Sequence, residues 1–454
     1  MEETLFPLPE SVEKAVEPIL PGCPRLKRAD RFQIGWQLAD LDSLLAEDHK
    51  ARFVWEWVQG VDVSPLEAEV KAVEGLPGQS AIDPRILLGV WMLATMDGVG
   101  SARALDRLCK ENIGYRWMCG GVSVNYHTLS DFRVGHEAYL EQLLIEGVAA
   151  LMTEGLVQLI AVAQDGKKLR ASAGSSSFHS AEKLEERLLK AKEQVDTLRK
   201  ELESDPGATT RRQKAARERA ARERVERLEQ ARQELAAKKA QAEKSGRAKK
   251  DAKDPRKKHR ASRTDPQARV MKMANGGFNP AYNAQFSTDV DSNIIVGVDL
   301  SQQGNDTGLA SPMLQQIEDH YDQRPEAILT DTSYASHDEI TTITQSDTIP
   351  YIAIPVKGNH ADKSEEDAYA PHDGDTPEVL AWRKRMASEE GKQMLKKRGQ
   401  VAELVHAVLD QMNLSRMKVR GLHKVRTVLL WFALAHNLLR ERLLRQRLAQ
   451  ASAA

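Results

Sequence analysis

The feature that most restricts how this chain can fold is a long charged segment set inside an otherwise strand-and-helix pattern. The apolar run of residues 156–164, Leu-Val-Gln-Leu-Ile-Ala-Val-Ala-Gln, ends at Asp165 and is followed at once by Gly166-Lys167-Lys168. A run of this kind reads as a buried strand, so Asp165 is expected at a strand's carboxyl edge with cations beside it. The next strand-like stretches come only after residue 268. Between the two, Leu184, Leu188, Ala191, Val195, Leu198 and Leu202 recur by fours and threes, which marks a narrow coiled-coil seam. Ser204-Asp-Pro-Gly-Ala208 breaks that helix. A second charged arm, residues 211–242, carries Val225, Leu228, Ala231 and Leu235, so the arms are expected to fold back as a helical hairpin. Its end, residues 249–260, is basic and broken by proline, and suits phosphate contact better than the solvated arms do. The hairpin therefore reads as an insertion hung on a sheet, with Asp165 far from its partners in sequence and near them in space.

Composition shifts around this insertion divide the chain. Residues 1–150 are expected to form a helical domain, 151–177 the first strand of a sheet domain, 178–265 the hairpin with its basic tail, and 266–448 the rest of the sheet domain. In the first part, Asp83-Pro84 starts a helix, with Asp83 as N-cap and Pro84 in the first turn. Ser101 caps a short helix over 102–112, and the turn at residues 120–127 precedes a helix over 128–149. Helix, glycine turn, helix is compatible with a small DNA-binding module, with Arg103, Arg107, Lys110, Arg116 and Arg133 available for phosphates. A plain helical bundle with solvated arginines fits the same pattern. Lys+Arg 65 against Asp+Glu 66 gives a net charge of −1, so any basic patch must be local. Cys23, Cys109 and Cys119 have no metal-type spacing and fit free thiols in a reducing compartment. With no apolar signal core at the start and no run near the ~18 apolar residues of a membrane span, a cytoplasmic protein is expected.

Past residue 268 the pattern is α/β. Residues 282–289 alternate, residues 294–300 are aliphatic, and Asp291-Ser-Asn293 turns between them, which gives a hairpin. A helix over 309–321, a short strand at 327–330 closed by Asp331, a helix from Ser336 and a strand at 351–355 follow. A polar loop over 357–377 then leads into a long helical region from Glu378 onward. The whole reads as a mixed sheet with helices packed on it, an α/β (α+β) fold. Asp165 and Asp331 each end a strand, and their carboxylates emerge together if the strands are neighbours. Glu403 lies on a later helix, with Lys397 and Arg398 nearby. Carboxylates that converge at a sheet edge repel unless a divalent cation sits between them, and magnesium suits such a site. Two ions ~4 Å apart would serve phosphoryl transfer. Asp289, Asp299 and Asp306 compete for the same role, and spacing does not exclude them.

Several strings together resemble the DDE transposases of bacterial insertion sequences: Asp165-Gly-Lys-Lys-Leu-Arg-Ala-Ser, Tyr282-Asn-Ala-Gln with Ile294-Ile-Val, Asp331-Thr-Ser-Tyr334, Arg420-Gly-Leu-His-Lys424-Val, and Ala435-His-Asn437-Leu. Asp83-Pro-Arg85 through His127-Thr-Leu-Ser-Asp-Phe-Arg133 is similar to the helical domain that precedes the catalytic domain in one large group of them. The resemblance implies a ribonuclease H-like fold in which Asp165, Asp331 and Glu403 are the catalytic and metal-binding acids. It implies magnesium or manganese as cofactor, two ions to a site, and DNA as partner, both the element's terminal inverted repeats and target DNA. Lys167, Lys168, Lys397, Arg398, Arg103, Arg107 and Arg133 would contact DNA. Synapsis of two element ends implies at least a homodimer. Leu395 and Asp410 depart from the Tyr and Lys of the family's series around the Glu. A catalytically inactive, transposase-derived DNA-binding protein is the alternative reading, and a nuclease that never joins strands is a third.

Overall fold

The computed structural model of the chain describes residues 39–70, 72, 80–204, 208–244, 259–355 and 368–453. Cys23, the break at 205–207, basic residues 249–258 and residues 357–367 of the polar loop lie outside the described residues. Seven helices come first: α1 (Lys50–Gly60), α2 (Ser64–Ala68), α3 (Pro84–Met96), α4 (Ala102–Glu111), α5 (Ile113–Cys119), α6 (Tyr126–Gly135) and α7 (Glu137–Thr153). Side-chain caps set their starts. Asp83 accepts from the Arg85 amide with Pro84 in the first turn, Ser101 accepts from Ala104, and Asn112 and Asn125 cap α5 and α6. The expected single helix over 128–149 is two helices. They break at His136, whose backbone is not helical (φ −125°, ψ 50°), just after Gly135, a poor helix former.

The sheet domain contains β1 (Ala161–Arg170), a short pair β2 (Phe178–His179) and β3 (Ala261–Ser262), then β4 (Arg269–Lys272), β5 (Phe278–Asp289), β6 (Ile295–Ser301), β7 (Ala327–Thr330) and β8 (Ile349–Ile352). The strand order is β4-β5-β1-β7-β8, with β6 also paired to β5. β5 is antiparallel to β1 and β6, while β7 is parallel to β1 and β8. Helices α10 (Ala310–Tyr321) and α11 (His337–Gln345) alternate with the later strands. Asp165 does not end its strand, as the apolar run suggested. The strand starts only at Ala161 and continues through Asp165 to Arg170, because the long β5 supplies partners from Asp289 down to Ala281. Within the run, Leu159 turns the chain with φ of 53°, and Val157 and Leu159 fill the core beneath the strand's start.

Between β2 and β3 rise α8 (Ala181–Ser204) and α9 (Ala208–Lys244). Leu184, Leu188 and Ala191 of the first are buried against Leu228, Ala231 and Leu235 of the second. The two-residue pair β2–β3 closes the base of this arm. The carboxyl-terminal helical region is three helices: α12 (Pro377–Ala387), α13 (Glu389–Gln411) and α14 (Leu422–Ala453). Ser388 ends α12 and caps α13 by accepting from the Gly391 amide.

Helix α14 joins the two halves. Val425, Leu429, Trp431 and Leu434 belong to one apolar cluster that also holds Val54, Trp91 and Leu129 of the helical half and Tyr282, Phe286 and Ile295 of the sheet. The Trp431 indole donates to the Arg133 carbonyl (3.0 Å), and Arg426 pairs with Glu137 (2.7 Å). On the sheet side, the Asn437 side chain donates to the Ile295 carbonyl and accepts from the Ile295 amide, both at 2.8 Å. Next to it, His436 is buried with Nε2 2.9 Å from the Asn293 carbonyl. Among the described residues no helix is long and apolar enough to cross a membrane.

Burial lowers the His436 imidazole to about 4, and Arg440 adds to the effect. The sign follows directly. The unfolded chain takes a proton near 6.5 while the folded chain refuses it, so stability is lost as pH falls from about 6.5 to about 4. His436→Gln should flatten that acid limb, removing on the order of 2 kcal/mol of pH-dependent destabilisation by pH ~4. Melting temperatures measured across the range check this, and an unchanged acid limb would count against it.

Candidate active site

The site follows from strand register. β1 and β7 pair in parallel as Ala161↔Ala327, Val162↔Ile328 and Ala163↔Leu329. Two residues beyond the last pair on each strand stand Asp165 and Asp331, so the same register sets them side by side. β7 stops at Thr330, and Asp331 caps the following turn by accepting from the Ser333 amide (2.9 Å). Helix α13 lies over this edge, its Val401, Val405 and Leu409 buried in the two cores. It delivers the Arg398 guanidinium between the acids: Nη2 is 2.8 Å from Asp165 and 3.7 Å from Asp331.

Electrostatics match that geometry. Burial pushes the Asp165 carboxyl up to about 6; Arg398 pulls it down, while Asp331 and Asp306 push it up again. One guanidinium is answering more negative charge than it carries. His406, 3.7 Å from Asp165 on the same helix, is lowered to about 4 by burial and by Lys167, so it is neutral at physiological pH.

A third carboxylate was legible only as a competitor. Asp306, in the loop after β6, is buried and fully engaged: Asn283 (2.6 Å) and Gln285 (2.8 Å) donate to one oxygen, and the Ser333 hydroxyl (2.8 Å) donates to the other. The Ser333 hydroxyl is also bonded to Asp331. Gln285 is further held by Gln164 (3.0 Å) and by the Tyr334 hydroxyl. The signal for this network was present in β5, where Asn283, Gln285 and Ser287 alternate as polar residues yet all are fully buried. A strand with a polar face that never meets water must answer buried partners. Gly166 belongs to the same arrangement. A Cβ there would lie 2.5 Å from Asp306 and 2.7 Å from Gln285, so glycine is what lets the network close under the strand.

The other expected site residues divide. Lys167 is paired with Asp410 (2.9 Å), so the departure at Asp410 is matched by a lysine on β1. Lys168 is half-buried, and Lys397 is exposed. Glu403 is exposed on α13, outside the Asp165–Arg398–Asp331 cluster. Among the described residues no group of three or more His, Cys, Asp or Glu is arranged to hold a metal ion. Arg103 and Arg107 are exposed on α4. Arg133 is a correction: it is buried, its guanidinium donates to the Gly100 carbonyl (2.6 Å) and lies over the Trp91 ring, so it is a core residue and not a phosphate contact.

A mixed sheet in which the central β1 runs antiparallel to β5 and parallel to β7, with aspartates at neighbouring positions just past the β1–β7 pairing, is a ribonuclease H-like arrangement. Residues 251–438 match the family model of the transposase DDE domain, and residues 39–135 match that of a transposase domain (DUF772). The two matches together are consistent with an insertion-sequence DDE transposase. No curated protein and no solved structure matches it. The DDE match begins after the two-helix arm, so β1 and Asp165 lie outside it and join the domain through strand pairing.

Gly166→Ala should force Asp306 and Gln285 apart from β1 and cost about 1–3 kcal/mol, the range for overpacking a close-fitting interior. Urea denaturation measures it; a change within a few tenths of a kcal/mol would show that the close fit is not needed.

Proposed function

We propose that this chain cuts phosphodiesters at the ends of its own DNA element and joins the freed 3′ hydroxyl to target DNA. The observation that carries this is the meeting of Asp165 and Asp331 at one guanidinium on the open edge of the sheet. Two hard oxygen donors, only partly neutralised by Arg398, suit a divalent cation that keeps water and substrate phosphate as its remaining ligands. Asp165 and Asp331 would hold it, and Glu403, exposed on α13 outside their cluster, would have to turn in to serve as the third acid. Magnesium or manganese bound there would neutralise phosphate charge and make the attacking oxygen more nucleophilic.

The chain's own groups have complementary tasks. Arg398, relieved of the two carboxylates, is positioned to take up a phosphate oxygen, and its planar fork suits that partner. Asp306 orients Asp331 through the shared Ser333 hydroxyl. The Lys167–Asp410 pair keeps a cation near the site in the face of the changed residue at 410, and this favours the active reading over an inactive DNA-binding derivative. Exposed Arg103 and Arg107 on α4 offer contacts for the terminal repeat. Handling two element ends together calls for at least two copies of the chain.

The test is cleavage and joining of duplexes that carry the inverted repeats flanking the gene, with magnesium. Asp165→Asn and Glu403→Gln should each lower cleavage by roughly 10²–10³-fold while duplex binding persists. Full activity in either variant removes that residue from the site, and cleavage without joined product makes the chain a nuclease only.

A further inference from the structure

Five arginines meet in a cleft of about 220 Å³ at the base of the two-helix arm, away from the catalytic edge. Arg187 comes from α8, Arg224 and Arg227 from α9, Arg263 from the segment that returns from the arm, and Arg420 from the loop before α14; Thr264 lines the same wall. Four separate stretches of chain thus deliver like charges to one place. Elsewhere on the arm, cations face carboxylates, as in Lys190–Glu186 (2.6 Å), Lys192–Glu229 (2.8 Å) and Arg222–Glu218. In the cleft, among the described residues, the ion pair is Arg227 with Glu223 at 3.6 Å. Arg224 reaches only the Gln194 side chain (3.4 Å), and Arg420 the Ser172 carbonyl (3.3 Å). The surplus charge extends to the neighbouring His179, held below its ordinary value by burial and then by Arg187 and Arg263.

Guanidinium groups that outnumber the carboxylates beside them repel one another, and a phosphate, which accepts from several planar forks at once, removes that repulsion. We propose that this cleft binds a backbone phosphate of a DNA strand that also passes the Asp165–Asp331 edge. The spacing suits this. Arg420 bonds to Ser172, just past β1, and at about 3.3 Å per residue Ser172 lies on the order of 20 Å along the strand direction from Asp165. That is about six base pairs of duplex at 3.4 Å each. The arm then acts as a brace that holds DNA at a second point, a role resting on the function proposed above.

The test uses the full-length chain and a labelled duplex of arbitrary sequence, bound across a potassium chloride series in EDTA. Arg224→Ala with Arg263→Ala should weaken binding several-fold and reduce the slope of log affinity against log salt by about 1, while the corresponding lysine substitutions keep the slope. Arg187→Ala, on the other helix, should act in the same direction and serves if the double variant does not fold. Calorimetric titration with inorganic phosphate separates the sources. Phosphate heat lost in the variant, together with an unchanged DNA slope, would assign the cleft to a free anion and overturn the DNA assignment. Wild-type binding matched by the variants overturns the cleft alone. A wild-type chain that binds neither this duplex nor one carrying the inverted repeats overturns both the cleft and the proposed function.

Discussion

Three consecutive residue pairs between β1 and β7 fix the geometry on which the site depends. Because the pairing is parallel, both strands advance in the same direction, and whatever follows the last pair on each emerges at the same end. Antiparallel pairing would have sent Asp165 and Asp331 to opposite ends of the sheet. Parallel pairing is possible only through long crossover connections, and here the chain between β1 and β7 contains the arm, β5, β6 and α10. The central place of β1 explains how so large an insertion is carried. β1 continues past the end of β7 because β5 still pairs with it, and the arm departs only after that support ends.

The charge balance at the edge is a second dependency. Burial alone would leave Asp165 protonated well above the ordinary carboxylate range, and Asp331 and Asp306 press in the same direction. Arg398 offsets part of this from α13. Asp306 is held by neutral donors, Asn283, Gln285 and Ser333, which satisfy its oxygens without bringing another full charge. The site is therefore built as an acidic pair resting on a saturated polar floor, and the floor rather than the acids decides how closely the loop after β6 can approach β1.

Much of the fold was legible because its signals are local. The caps at Asp83 and Ser101, the strand that ends before Asp331, and the apolar seam of the arm each depend on residues within a few positions of one another. What was not legible depends on distant partners. The strand through Asp165 reads as ending there because Gly166-Lys167-Lys168 has poor strand character, yet β5, more than a hundred residues later, extends it. Arg133 looks like a surface cation until Trp91 and Gly100 are folded around it. Of the candidate site, Asp331 is legible from its strand end and Asp165 from the apolar run before it, whereas the engagement of Lys167 with Asp410 and the floor beneath Gly166 depend on helix and loop placement that no spacing encodes.

The amide of Asn437 has a consequence for how copies of this chain can meet. An outer strand normally presents unpaired amides and carbonyls to which another chain can add as a further strand. At Ile295 both of those groups are already taken by one side chain of α14, which imitates the two bonds a neighbouring strand would make. That end of β6 is closed to sheet extension, so assembly by strand addition is blocked there.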